Sequence, residues 1–408
     1  MAEVKSSEIA RLAEQYTPEM VTFLRDMIAI PSESTDERLV VERVRQEMER
    51  VGFDEVKIDG MGNILGRIGS GKTVIAIDGH LDTVGVGDKG TWTRDPYKGE
   101  LTDGIIYGRG AGDQEAGIAA AVHGARIMKE LDLLGDFQVW VTGTVMEEDC
   151  DGLCWTYILR EGVLKPDVVV ITEPTNLGVY RGHRGRMEME VRTQGRSCHG
   201  SAPERGVNAV YKMGPIIADI ERLNERLADT ADPFLGKGTV TIADIRATSP
   251  SLCAVADSCT IHLDRRLTKG ETMDSAVAEI LALPGVKAAG ATVTVLDYAR
   301  EAYTGLTYPM QKYYPTWVLD EDAPAVRAGV AAAAQALDTA PRVAKWGFST
   351  NGIATAGLFG VPTIGFGPSN EIWAHTPDDQ CPVEDLTRAA RFYAAFPRCF
   401  VEANGGGR

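Results

Sequence analysis

Hydrophobic positions change their spacing several times along this chain, and each change marks an element. Apolar residues recur at helical spacing from Met20 to Ile30 and stop at Pro31. A second helix, capped by Ser34 or Thr35, runs to about Val51 and is closed by Gly52. Glu55 to Arg67, with a GMGN turn inside it, and Thr73 to Asp78 read as strands. The Ala-rich stretch from Glu115 to about Leu131 is again helical, and the continuous apolar runs Phe137 to Met146 and Val168 to Thr172 read as strands buried on both faces. Strands alternating with helices predict a mostly parallel sheet, whose ligands bind outside the carboxyl ends of the strands.

The style then shifts. Met187 to Arg192 (MEMEVR) alternates strictly, a helix follows from Val207 to Leu227, then strands at Gly238 to Ala247 and Ser258 to Leu267, a helix at Glu271 to Leu283 and a strand at Ala291 to Tyr298. That is a ferredoxin-like β-α-β-β-α-β unit with its own core. After Arg300 the first style resumes: an Ala-rich helix at Ala323 to Leu337, a polar loop at Gly347 to Gly352, the strand Val361 to Phe366 and then NEIWAHTPDDQ, while the closing Gly405 to Arg408 is expected to fray. The fold expected is therefore α/β, with a mostly parallel sheet domain over 1–182 and 301–408 and an inserted lid or dimerisation domain over 183–300.

A length of 408 residues agrees with two cores. With 42 Lys plus Arg against 58 Asp plus Glu, the formal charge of −16 repels phosphate backbones and anionic lipid, so neither nucleic acid nor membrane is an expected partner. The N-terminal stretch lacks an apolar signal core, and no run approaches the ~20 apolar residues of a membrane span, which points to a cytoplasmic protein. Seven cysteines, an odd number without framework spacing, read as reduced thiols that behave as small hydrophobes, in preference to a thiolate metal site built on Cys150, Cys154 or Cys198.

Chemistry collects at the strand ends. VIAIDGHLD carries an apolar strand straight into His80 and Asp82; a neutral imidazole ligates divalent metals, and a carboxylate two residues on can accept its second N–H and fix its direction. Alone, such a pair would only cap a turn. The runs ending at Met146 and Thr172 also stop at carboxylates, Glu147, Glu148 and Asp149 in one case and Glu173 in the other, and Asp113 precedes the Ala-rich helix. Of the six histidines, His123 and His262 fit structural roles and His183 fits neither role clearly, whereas His80 and His375 both follow apolar strands. Two histidines with three or more carboxylates at one sheet edge match the ligand count for two divalent metals about 3.5–4 Å apart. Without cations those carboxylates would repel one another.

HLDTV at His80, GRGAGDQEAG around Asp113, EED at Glu147, TEPT at Glu173, GRSCHGSAPERGVNA around His199 and HTPDD at His375 together resemble the M20 family of metallo-amidohydrolases, which includes acetylornithine deacetylase, succinyl-diaminopimelate desuccinylase, aminoacylase and carboxypeptidase G2. The resemblance spans nearly the whole chain. It implies that His80, Asp113 and Glu173 hold one metal and Asp113, Glu148 and His375 the other, with Asp113 bridging, Asp82 holding His80 and Glu147 serving as general acid/base. Spacing alone leaves Glu147 and Glu148 interchangeable. The two ions would be zinc, or cobalt or manganese, and the reaction the hydrolysis of an amide in an N-acyl amino acid or short dipeptide-like substrate through a metal-activated water. His199 would donate to the oxyanion, by analogy from the neighbouring subunit of a homodimer formed through the lid.

Two departures stand out. Family members often carry Lys where this chain has Glu115, and the loop GFSTNG stands where many deacylases carry an Asp, so substrate choice is expected to involve Ser349, Thr350 and Asn351. Arg266, closing a family-like DxR with Asp264, is the candidate to hold a free substrate carboxylate together with Asn208, against the alternative of plain surface solvation. Within the same fold a carboxypeptidase, dipeptidase or N-carbamoyl amide hydrolase is the alternative. A nucleotide enzyme using GRGAGD as a phosphate loop is disfavoured because GxGxxG breaks at Asp113, and a catalytically silent binding protein because every expected ligand and the base are present.

Overall fold

The computed structural model describes residues 2–405; of the expected frayed tail, 406–408 lie outside the described residues, while Gly405 closes the helix Val383–Gly405. The chain divides into two compact units, Met1–Gly182 with Arg300–Tyr308 and Val318–Arg408, and His183–Ala299 with Pro309–Trp317.

The first unit is built on an eight-stranded sheet in the order Glu55–Ile58, Ile64–Gly69, Phe137–Thr144, Thr73–His80, Val168–Ile171, Thr363–Gly365, Val179–Tyr180, Val343–Ala344. Its four central strands, from Phe137–Thr144 to Thr363–Gly365, are parallel, while Ile64–Gly69 runs antiparallel to them and pairs antiparallel with Glu55–Ile58. The parallel centre follows from the sequence: Val168–Ile171 is buried throughout and Thr73–His80 over its last six residues, as β-branched runs covered on both faces must be. Register aligns the ends, with His80 opposite Thr144 and Asp78 opposite Ile171, so the turns after these strands leave from one edge.

The helix Glu115–Glu130 packs across this sheet. A Cβ on Gly117 would sit 2.2 Å from Thr172 Oγ1, so only glycine lets the first turn of the helix meet the end of the Val168–Ile171 strand. The N-terminal helix is longer than its apolar pattern announced, Ala2–Ile28 with Pro18 inside it, and the second helix, Arg38–Arg50, has Glu37 at its N-cap where Ser34 or Thr35 was expected. The glycine-rich span before Asp113 contains a small sheet that the sequence did not reveal: Ile105–Tyr107 pairs with Glu100–Thr102 on one side and Gln380–Pro382 on the other.

The second unit is an antiparallel sheet ordered Thr239–Thr248, Ser258–Leu267, Gly185–Gln194, Thr292–Val295, with the helices Ala209–Arg226 and Met273–Ala282 between strands in the β-α-β-β-α-β sequence. Met187, Met189, Val191, Ile261, Leu263, Met213, Ile216, Ile220 and Ile280 form its core, so the alternation of MEMEVR puts methionines inside and Glu188 and Glu190 on the wetter face. The expected 183–300 boundary is incomplete. Pro309–Trp317 also belongs here, because Lys312 N–H donates to Leu296 O at 2.7 Å and Lys312 O accepts from Glu188 N–H at 3.0 Å.

All seven cysteines are free thiols. Cys150, Cys154, Cys259, Cys381 and Cys399 are buried, but Cys253 is exposed and Cys198 half-buried, so the expectation of small buried hydrophobes fails for these two. Among the described residues no helix is long and apolar enough to cross a membrane.

Candidate metal centre and active site

Five segments deliver carboxylates and imidazoles to the sheet edge. His80 is the last residue of its strand; Glu147 and Glu148 follow Thr144 and Glu173 follows Ile171 by a few residues. Asp113 lies just before the helix Glu115–Glu130, and His375 on the loop after Thr363–Gly365. His80 is buried, and its Nε2 stands 3.2 Å from Asp113 Oδ1, 3.6 Å from Glu173 Oε1 and 4.0 Å from Glu147 Oε2. His375 Nε2 stands 3.3 Å from the other Asp113 oxygen, Oδ2, and 3.0 Å from Glu148 Oε2. The two oxygens of one aspartate thus face two different histidines.

The sets His80/Glu147/Glu173 and His80/Asp113/Glu148 each bring ligand atoms within 4.8 Å of one another and could hold a metal ion. Three further observations fit cations here. Glu147 Oε1 and Glu173 Oε2 are buried and have no hydrogen-bond partner among the described residues. Burial, reinforced by neighbouring carboxylates against the pull of His80, pushes both carboxyls well above the ordinary range. Against burial, the Asp113 hydrogen bond and the charges of Glu173 and Glu147 hold the His80 imidazole well above its usual value, and hydrogen bonds to Asp113 and Glu148 raise His375 to about 10. A cluster that draws protons onto its imidazoles offers the same sites to a divalent cation.

Asp82 departs from its expected task. His80 Nδ1 lies 2.7 Å from the main-chain O of Asp82, and 3.7 Å from its carboxylate Oδ1. The peptide carbonyl, rather than the carboxylate, accepts the imidazole N–H and leaves Nε2 free to ligate. The carboxylate instead accepts from Ser34 Oγ at 2.6 Å, from Glu147 N–H at 3.1 Å and from Glu148 N–H at 3.0 Å. Asp82 therefore holds the backbone of the EED turn. Nearby, Glu37 Oε1 accepts from Met146 N–H at 3.0 Å and Asn63 Oδ1 from Val145 N–H at 3.1 Å, two more supports the sequence did not flag.

The GFSTNG loop also corrects its expectation. Thr350 and Asn351 are buried, and Asn351 knots the sheet: its Nδ2 donates to Asp78 Oδ2 (2.9 Å) and Thr144 Oγ1 (3.1 Å), and its Oδ1 accepts from Gly152 N–H (3.0 Å) and Cys154 Sγ (3.0 Å). An amide engaged on both ends has no face left for a substrate. Ser349 is half-buried, and among the described residues its Oγ has no hydrogen-bond partner, so it keeps polar capacity to offer.

The remaining candidates belong to the second unit. His199 is exposed, and its Nδ1 is approached by Ser201 N–H at 3.1 Å and Ser201 Oγ at 2.7 Å. A peptide N–H can only donate, so Nδ1 is the acceptor and the neutral ring carries its proton on Nε2. Asn208 caps the helix Ala209–Arg226, accepting from Val210 and Tyr211 N–H, which answers its conspicuous position with a structural role. Arg266 Nε and Nη2 form a fork on Asp264 at 2.8 and 2.9 Å. Of the other histidines, His123 is buried 3.1 Å from Glu47 Oε1, His262 stands 3.5 Å from Glu188, and His183 is buried with Nε2 2.8 Å from Trp317 Nε1.

The profile of the family described as peptidase family M20/M25/M40 matches residues 76–398. A protein of Escherichia coli K12 known as YgeY, itself described as uncharacterized, is 52% identical over 389 residues, covering 95% of this chain and 96% of its own. The succinyl-diaminopimelate desuccinylase of Gluconacetobacter diazotrophicus is 29% identical over 395 residues, covering 92% and 95%. Among solved structures, the aminopeptidase PepT of Bacillus cereus superposes with a TM-score of 0.73 at 21% identity over 94% of this chain and 99% of its own. The YxeP protein of Bacillus subtilis, described as a dinuclear metal binding peptidase, gives 0.71 at 14% identity over 96% and 99%.

Proposed function

The chain belongs to peptidase family M20/M25/M40, and on that footing we propose that it hydrolyses the amide bond of an N-acyl amino acid or short dipeptide-like substrate at a centre for two divalent cations. The observation that carries the reading is the split aspartate: Asp113 Oδ1 faces His80 and Oδ2 faces His375, the arrangement of a carboxylate shared by two ions. His80, Asp113 and Glu173 would hold one ion, and Asp113, Glu148 and His375 the other. Zinc, or cobalt or manganese, would supply Lewis acidity there and lower the pKa of water.

Glu147 is the base in this reading. It is buried, and its Oε1 has no hydrogen-bond partner among the described residues, so it can take a proton from the attacking water and return it to the leaving nitrogen. Its backbone N–H is pinned by Asp82, which holds the carboxylate in register with the ligand Glu148. His199, protonated on Nε2, has a donor suited to a developing oxyanion, and by the family resemblance it would come from the partner subunit's lid in a homodimer. Arg266 keeps Nη1 outside its fork on Asp264 and could meet a substrate carboxylate. A panel of N-acetyl, N-succinyl, N-carbamoyl and dipeptide substrates, assayed after reconstitution with zinc, cobalt or manganese, tests the reading. Fewer than two ions per chain, together with no turnover of any panel member, would sink it.

A further inference from the structure

The loop that carries His375 has little regular structure of its own: a three-residue 3-10 turn at Glu371–Trp373 precedes it, and His375 itself is exposed with a left-handed φ of 60°. Yet its Nε2 must stay in place against Asp113, which lies on a different loop. What joins the two loops is Asp379, four residues after His375. Its carboxylate is fully buried; Oδ2 accepts from Gly110 N–H at 2.8 Å and Oδ1 from Gly112 N–H at 2.8 Å. Arg109 Nη1 approaches the same carboxylate at 3.3 Å, and the main-chain O of Asp379 accepts from Gly108 N–H at 3.0 Å. These bonds continue the strand pairing of Gln380–Pro382 with Ile105–Tyr107, so residues 105–112 are zipped onto 379–382 up to the residue before Asp113. The fit is close: a Cβ on Gly112 would lie 2.8 Å from Ser369 Oγ, 3.0 Å from Gln380 O and 3.1 Å from Asp379 Oδ1.

We propose that Asp379 is the positioning residue of the cation position shared by Asp113, Glu148 and His375, acting through its grip on the Gly110 and Gly112 amides. The inference rests on the two-cation reading above. His80 and Glu173 are carried by strand ends of the central sheet, whereas Asp113 and His375 both sit on the clamped loops, so loss of the clamp should fall most heavily on the position that takes both of them and less on the one that shares only Asp113.

The test is a zinc titration of the cation-free full chain by calorimetry, with bound metal counted by elemental analysis and folding checked by circular dichroism. Wild type is expected to take up two ions. Asp379→Asn keeps the shape but turns an N–H donor toward a peptide N–H, and should weaken one ion about 10- to 100-fold, the usual cost of losing an outer-sphere partner, while the other, which shares only Asp113 with the clamped loops, weakens by less. His375→Ala should weaken the same step, and the double substitution should add little to it. Arg109→Met breaks the same buried ion pair but leaves both amide bonds, and should retain two ions; this separates clamping from general loss of stability. If Asp379→Asn does not fold, Gly112→Ala, which drives a methyl into the clamp without removing any charge, carries the same expectation. Two ions bound with wild-type affinities in a folded clamp variant, or equal weakening of both, overturns the role of Asp379 alone. A wild type that binds fewer than two ions overturns the two-cation reading and this inference with it.

Discussion

Replacing Asn351 separates two roles that its loop could have played. If Asn351 met substrate, Asn351→Ala would raise KM and leave stability alone. The structure predicts the reverse. The substitution removes the bonds to Asp78 and Thr144 and leaves Gly152 N–H, at the start of the helix Leu153–Arg160, without its acceptor. One bond to an acid group at about 1.5–3 kcal/mol and two neutral bonds at about 1 kcal/mol each give a loss of about 3–5 kcal/mol. At roughly 2 °C per kcal/mol for a unit of this size, Tm should fall by about 6–10 °C. Asn351→Asp should be worse, because it sets a second buried carboxylate beside Asp78, whose carboxyl burial already pushes up. Calorimetric melts and urea unfolding, run beside steady-state kinetics on whichever panel substrate is turned over, decide the matter. An Ala variant that melts within about 2 °C of wild type while KM rises about tenfold would refute the argument, since the lost bonds would then have contributed less than about 1 kcal/mol.

Other outcomes follow from the same geometry. Glu147→Gln should lower turnover about 10²- to 10⁴-fold with metal content unchanged, whereas Glu148→Gln should lose metal; elemental analysis with kinetics reads both, and the opposite pattern exchanges the two roles. Mixing inactive His199→Ala chains with inactive Glu147→Gln chains should restore activity if the histidine acts across a dimer, and no recovery despite proven subunit exchange rejects that arrangement. Acid stability should depend on Glu47: burial opposes its ionisation, but hydrogen bonds from His123, Arg50 and Arg43 hold its carboxyl well below the usual range. A depressed folded pKa stabilises above the unfolded value of about 4.3 and is lost as pH falls toward the folded one, so Glu47→Gln should destabilise at pH 7 and flatten the acid limb of urea-unfolding stability; a variant with an unchanged limb removes Glu47 from that role.

The parts of this molecule legible from sequence are those whose cause is local. Apolar runs such as Val168–Ile171 announce buried strands, and carboxylates placed directly after them announce the site. What stayed hidden depends on pairing across the chain. Asn351 sits in a loop that reads as polar and exposed, yet its partner Asp78 lies on a distant strand, and no periodicity links them. Ile105–Tyr107 and Glu100–Thr102 are too short to show alternation, and Pro309–Trp317 joins the second unit through two-residue strands. Asp82 was conspicuous, but spacing could not say that its peptide carbonyl takes the imidazole while its carboxylate holds the EED turn. Asp379 lies within HTPDD and still gave no sign of the loop it grips.

The order in which the chain is synthesised meets the order of the central sheet at Val168–Ile171. This strand is flanked by Thr73–His80 and Thr363–Gly365, one made long before it and the other long after. At the 5–20 residues per second of ribosomal synthesis, the 191 residues between Ile171 and Thr363 take roughly 10–40 s to appear. Through that interval a fully apolar strand has an unpaired edge while the whole second unit is being made, and an unpaired apolar edge is a template for the wrong neighbour. Four carboxylates and one histidine of the site, all complete by Glu173, wait equally long for His375. Fragments ending before Thr363 should therefore accumulate as aggregates, and the burden of chaperoning this fold falls on the N-terminal half of the sheet.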